Sequence, residues 1–166
     1  MHDELTNIDI DKMKEEIEYR RVTLRPQLLE EVKRTRAFGD LSENFEYKEA
    51  KRAKNKNESR IRYLTNMINT AKIIEDNSDD ETIGLFDIVE CYIPDMDMEM
   101  NIRIVTTVRN DVNQGLISRD SPFGKALLGH KTGDRALVHS PDGSYYVEIR
   151  KITKSHDDGS IPISSY

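Results

Sequence analysis

The chain has 166 residues, 34% of them charged, with a mean hydropathy of −0.70 and a formal charge of −6. That is enough for one domain or two small ones with a modest core, and with no apolar run of about 18 residues it offers no membrane-spanning helix. Cys91 is the only cysteine, which excludes an intrachain disulfide and points to a reducing cytoplasm. The four histidines (His2, His130, His139 and His156) are scattered without the spacing of a zinc site. The opening stretch "MHDELTNIDIDK" is acidic and is not a secretory signal.

Charge divides the chain unevenly. Residues 1–76 carry sixteen bases and sixteen acids, whereas residues 77–166 carry nine and fifteen. The first part has helical periodicity. Ile10, Met13, Ile17, Leu24, Leu28 and Val32 recur at steps of three, four or seven. Pro26 predicts a kink or short break near Arg25, because it lacks an N–H and clashes with the preceding turn. Tyr47, Ala50, Lys54, Asn57, Ile61, Leu64, Ile68 and Ala71 form a second stripe alternating three and four, the pattern of a coiled-coil seam. Lys54 and Asn57 are polar at seam positions and predict a weak seam near the bend.

Between the stripes lies "FGDLSEN". Gly39 suits a left-handed residue ending one helix, and Asp40 or Ser42 can cap the next. So short a break predicts an antiparallel hairpin, with a second helix of about 30 residues, or about 45 Å. Residues 1–76 are thus read as an antiparallel coiled-coil domain with an acidic tip at 39–46.

"EDNSDDETIG" is acidic and polar, and 77–84 is read as a linker. Beyond it the period falls to two. Met100, Ile102, Ile104 and Val108 alternate with polar residues, as do Tyr145, Val147 and Ile149, with Tyr146 exposed. "SPFGKALLG" predicts a short helix with Ser121 as cap, Pro122 at its first position and Gly129 after its end. "SPDGS" predicts a turn. The order is strand, strand, strand, helix, strand, strand: an α+β class with a mostly antiparallel sheet over 85–154. Residues 155–166 are read as a loose tail.

Two stretches carry a resemblance. "GDLSENFEYKEAKR" at 39–52 closely resembles the tip signature of the bacterial Gre transcript-cleavage factors, and "GLISRDSPFGKALLGHKTGD" at 115–134 resembles their second signature. The likeness runs over about residues 9–153. It implies an N-terminal coiled-coil hairpin and a C-terminal FKBP-like domain, and a monomer that binds RNA polymerase. The C-terminal domain would dock at the rim of the secondary channel, with Ser121, Pro122 and Phe123 as part of the docking surface. Cap and core roles explain those three equally well. The coiled coil would reach through the channel to the 3′ end of backtracked nascent RNA. Asp40 and Glu43 would help hold a magnesium ion shared with the polymerase, so that the polymerase cleaves its own transcript. No cofactor of its own is implied, and no enzyme activity without the partner.

The chemistry is consistent with this. Magnesium takes oxygen ligands and is commonly held by one or two protein carboxylates plus phosphate. Two acids cannot complete such a site alone. By itself "DLSE" reads as a capping box, with Asp40 as cap and Glu43 bonding back; the wider match favours metal delivery, and the two roles can coexist. Glu46 reads as a helix-dipole acid. Behind the tip, residues 48–62 hold seven bases against two acids. Lys48, Lys51, Arg52, Lys56, Arg60 and Arg62 fall within about half of the helix circumference. Such runs are usually solvated faces, but a basic stripe behind this tip is also suited to RNA phosphates, and its size resembles GreB-like members.

Departures from the family pattern are the missing early glycine in "LTNIDIDKMKEEIEYRR", Phe45 where alanine is usual, and the tail. The competing readings are a Gre-like inhibitor filling the same channel, a free-standing nucleic-acid-binding coiled coil, and a prolyl isomerase. The plain tip pattern favours the activator, and the charge balance disfavours strong nucleic-acid binding without a partner.

Overall fold

The computed structural model describes residues 2–39 and 44–165. It divides into two compact units: Ile10–Ala71 (with the first two residues), and Asp3–Asp9 together with Lys72–Tyr166.

The first unit is a helical hairpin. Its outgoing arm contains α1 (Asn7–Tyr19, which begins in the second unit) and α2 (Arg25–Arg36); the returning arm is α3 (Phe45–Thr70). Between α1 and α2 the backbone does not break. Residues Arg20–Leu24 form one widened π turn, and the Arg25 N–H bonds back to the Arg20 carbonyl. Pro26 sits in the first turn of α2, where its missing N–H is tolerated best. The predicted interruption is therefore an inserted residue that keeps the helix running.

At 26 residues α3 is about 39 Å long. Its buried residues are Ala50, Asn57, Arg60, Ile61 and Leu64, all of them predicted seam positions except Arg60. The polar Asn57 is buried and finds its partners in the other arm. Its side chain donates to the Arg20 carbonyl (3.2 Å) and accepts from the Arg20 guanidinium (3.0 Å), so it fills the widened turn of the other arm. Arg25 and Glu58 add a two-point bridge at 2.7 and 2.8 Å, and this hydrogen bonding holds the Glu58 carboxyl below its ordinary range.

In the second unit a five-stranded sheet runs β5-β4-β3-β7-β6, comprising β3 (Ile88–Ile93), β4 (Met98–Val105), β5 (Leu116–Ser118), β6 (Arg135–Ser140) and β7 (Gly143–Thr153). All neighbours are antiparallel except β4 and β5. The core is the inner alternation: Val89, Cys91 and Ile93 on β3, Ile102 and Ile104 on β4, Ala136 and Val138 on β6, and Val147 and Ile149 on β7. Helix α4 (Pro122–Leu127) covers it through Leu127. The order of elements and the α+β class agree with the sequence reading.

Two segments depart from it. Glu4–Leu5 form strand β1, parallel to β2 (Lys72–Ile73), so the start of the chain belongs to this unit, with Leu5 fully buried. The segment 155–165 is not loose. Arg103 donates to the Ser155 hydroxyl and the His156 carbonyl, both at 3.0 Å; Ile161 is buried; and the Ser164 N–H bonds to the Val108 carbonyl at 2.7 Å. Its polar composition suggested a free end. The residues that hold it, Arg103, Val108 and Arg109, are more than 45 positions away in the chain, so local reading could not find them. The end of the predicted linker is also fixed: Ile83 lies in the core, and Lys154 Nζ bonds the Thr82 carbonyl (2.9 Å) and the buried Asp87 carboxylate (2.5 Å).

Candidate functional site

Asp40 and Glu43 lie outside the described residues. Their flanks are described. Helix α2 ends at Arg36, and Gly39 has φ +111°, the positive value that favours glycine. Helix α3 is capped by Asn44, whose Oδ1 accepts the Tyr47 N–H at 3.0 Å. The cap of α3 is therefore neither Asp40 nor Ser42. The residues of the "DLSE" box lie outside the described residues; at the start of α3 it is Asn44, directly before Phe45, that caps, and Asn caps as well as Asp. Glu46 sits in the first turn of α3, where an acid suits the helix dipole.

Asn44 also joins the two arms. Its Nδ2 donates to the Thr35 carbonyl at 2.6 Å, and the Phe38 N–H bonds to the same oxygen at 3.1 Å. One buried carbonyl therefore ties the end of α2 to the start of α3. Sequence reasoning passed over Asn44 because Asp40 and Ser42 come first; its signal was its place directly before the first periodic residues of α3. An Asn44→Ala variant should lose helix stability by about 1–2 kcal/mol. Asn44→Asp should fall between it and the parent, because it restores the cap but not the amide donor. Thermal melts followed by helical circular dichroism check this, and equal midpoints for all three would refute the assignment.

Of the predicted RNA-binding residues, Lys48, Lys51, Arg52 and Lys56 are exposed on α3 and line one shallow groove with Tyr47, Asn55 and Ser59. Lys51 Nζ lies 5.3 Å from the Tyr47 ring, and Arg52 pairs with Glu49 at 2.8 Å. Arg60 is different. It is 4% exposed and pairs with Glu16 of the other arm at 2.8 Å. It stands only about 60° from the buried Asn57 around the helix, so it packs at the seam edge and leaves the exposed stripe. Arg62 is exposed and bonds Ser59 at 3.0 Å.

In the sheet unit, Ser121 caps α4, accepting the Gly124 N–H at 3.0 Å and donating to the Ser118 carbonyl at 2.7 Å. Phe123 packs against the core. Gly124 is required by contact, since a Cβ there would meet the Ser118 oxygen at 2.1 Å. Of the three predicted docking residues only Pro122 is exposed, and it borders a groove lined by Lys125, Ala126, Leu137 and His139. Much of the "SPFG" signature therefore builds the fold. Among the described residues no cluster of three or more His, Cys, Asp or Glu can hold a metal ion.

Residues 4–73 match the family model described as "Transcription elongation factor, N-terminal", and residues 78–154 match that described as "Transcription elongation factor, GreA/GreB, C-term". The chain belongs to the GreA/GreB family. It is 41% identical over 143 residues to transcription elongation factor GreA of Bacillus subtilis, covering 86% of this chain and 90% of that protein. It is also 41% identical over 152 residues to GreA of Bacillus licheniformis, covering 90% and 95%. The crystal structure of GreA factor homolog 1 (Gfh1) of Thermus thermophilus aligns at 26% identity over 93% of this chain and 100% of that one, with a TM-score of 0.43. By the two family models and the GreA relatives the protein is a Gre-type elongation factor. Its relatives carry the GreA name, and with Arg60 withdrawn its exposed basic run is smaller than the count that pointed toward GreB-like members. The segment after residue 154 lies beyond the family match.

Proposed function

We propose that this Gre factor binds RNA polymerase and stimulates cleavage of the transcript 3′ end in backtracked, arrested complexes, the helical hairpin entering the secondary channel. The observation that carries the reading is at the bend. With Asn44 capping α3, Asp40 and Glu43 are not needed to start that helix, and both belong to the short connection between the arms. Carboxylates are suited to magnesium, which, shared with the polymerase, would supply activation of water and neutralisation of charge at the phosphodiester. Two carboxylates do not complete a magnesium site, so the protein acts as an accessory to the polymerase and not as an enzyme by itself. Behind the bend, Lys48, Lys51, Arg52 and Lys56 are placed to attract the phosphates of extruded RNA. The sheet unit is assigned to docking, with Pro122 as its exposed representative. Such a factor works with transcription in the cytoplasm.

The test is cleavage of end-labelled RNA in purified backtracked polymerase complexes, with and without the protein. Shortened, re-extendable transcripts are expected; occupancy of the polymerase without shortening would establish the inhibitor reading instead. The same assay addresses the basic groove. Neutralising Lys48, Arg52 and Lys56 to Gln removes phosphate attraction but no proposed metal ligand. Activity should fall about tenfold on deeply backtracked complexes and much less on those displaced by one or two nucleotides. An equal loss at every RNA length would mark the groove as a solvated face.

A further inference from the structure

Two exposed phenylalanines flank the acidic segment 40–43 in the chain. Phe45, the first residue of α3, is 72% exposed, and Phe38, just past α2, is 55% exposed. Single exposed apolar residues need no explanation, but the backbone beside each of these two is tied to the same carbonyl. The Phe38 N–H and the Asn44 side chain share the Thr35 carbonyl, so both rings leave from one hydrogen-bonded junction. Each also has cationic company. The Arg34 guanidinium lies 5.1 Å from the Phe38 ring. One turn beyond Phe45 the groove of Tyr47, Lys48, Lys51 and Arg52 begins. An aromatic ring and a basic groove on one rigid helix, with a second ring at the end of the facing arm, are what single-stranded nucleic acid binds: phosphates by charge and bases by stacking. A contact made for a protein partner would not require the basic groove to continue from the rings.

We infer that Phe45, supported by Phe38, stacks on an unpaired base of single-stranded RNA whose phosphates follow the Lys48–Lys51–Arg52 groove. Phe45 is then a positioning residue that holds the strand end beside the loop and takes no part in the chemistry. The inference rests on the reading of α3 as the arm that meets RNA. The occupant is RNA and not a polymerase pocket because charge complementarity of the neighbouring groove favours a polyanion. Stacking is sequence-tolerant, since every base has a π face, so all four terminal bases should be accepted.

The experiment titrates the full chain, without polymerase, against a short single-stranded RNA ending in 2-aminopurine, whose fluorescence is quenched by stacking. The parent and Phe45→Trp should quench, while Phe45→Leu and Phe45→Ala should weaken binding by about fivefold or more. Leu keeps apolar bulk without a π face, so quenching and affinity equal to the parent in Phe45→Leu would overturn the inference. In a second arm the terminal base is removed. An abasic end should weaken binding to the parent by a similar factor and leave Phe45→Ala unaffected. Additive losses would show that ring and base do not meet and would overturn the inference as well. If Phe45→Ala lowers polymerase binding but leaves RNA binding intact, the rings belong to a protein contact and the inference fails. Failure of the parent to stimulate cleavage would count against the proposed function alone, because quenching is read without polymerase.

Discussion

Asp40→Asn with Glu43→Gln in the full chain should lower stimulated transcript cleavage by about two orders of magnitude or more, with little change in fold or in polymerase binding. Both substitutions keep size and hydrogen-bonding capacity and remove only the negative charge that a magnesium ion requires. A lost metal ligand acts on the transition state and therefore on the rate of the chemical step. The structure sharpens the expectation about stability. Because Asn44 caps α3 and bonds Thr35 across the hairpin, neither acid carries the start of that helix, and melting should shift by less than about 1 kcal/mol in stability. The double variant should also compete with the parent for backtracked polymerase, because it occupies the same place without assisting. Cleavage by the variant at near the parental rate would remove the acids from the mechanism. Lost polymerase binding would relocate their role to docking.

The largest stability effect is expected at Arg109. This side chain is fully buried between Asp9, itself fully buried, and Asp157. Its Nη atoms donate to both oxygens of Asp157 at 2.9 and 2.6 Å, and its Nε lies 2.8 Å from Asp9 Oδ1, a charge contact rather than an aligned hydrogen bond. The Phe86 ring lies 5.3 Å from its guanidinium, on a backbone held at φ +66°. Asp9 in turn accepts the Thr6 N–H at 2.9 Å while Thr6 Oγ1 accepts the Asp9 N–H at 3.2 Å, the reciprocal box at the start of α1. One cation thus ties the chain start, the sheet unit and the C-terminal segment together.

Arg109→Met strands two carboxylates in the interior. It should cost about 3–5 kcal/mol, or roughly 12–40 °C in the melting of a unit of this size. Ending the chain after Lys154 removes Asp157 and the buried Ile161 but leaves Asp9 paired, and should give a smaller loss. An exposed pair supplies the control: Arg34→Ala, which breaks the bridge to Glu31, should move stability by less than about 1 kcal/mol. Calorimetry separates these cases. An Arg109→Met protein melting within a degree or two of the parent would show that the cluster is no tie. The same cluster means that a fragment starting at residue 77 is not the complete sheet unit, since it lacks Leu5 and Asp9.

What the sequence determined by itself is what depends on near neighbours. The α3 seam from Ala50 to Leu64, the strand order from β3 to β7, the Ser121 cap and the exposed face of Tyr146 all follow from period and capping chemistry, which act over a few residues. The family was legible because its signatures are contiguous. The tertiary structure decided everything set by distant partners. Pro26 did not break its helix, because a widened turn absorbed it and Asn57, more than thirty residues on, bonds that turn's carbonyl. Arg60 counted as an exposed base until Glu16 of the other arm took it. The C-terminal segment looked loose because its composition is polar, yet Arg103 and Arg109 hold it. In each case a polar or charged side chain gains a partner across the fold. Hydrophobic period carries no record of such pairings, because their free energy depends on where the partner is brought and not on what precedes it in the chain.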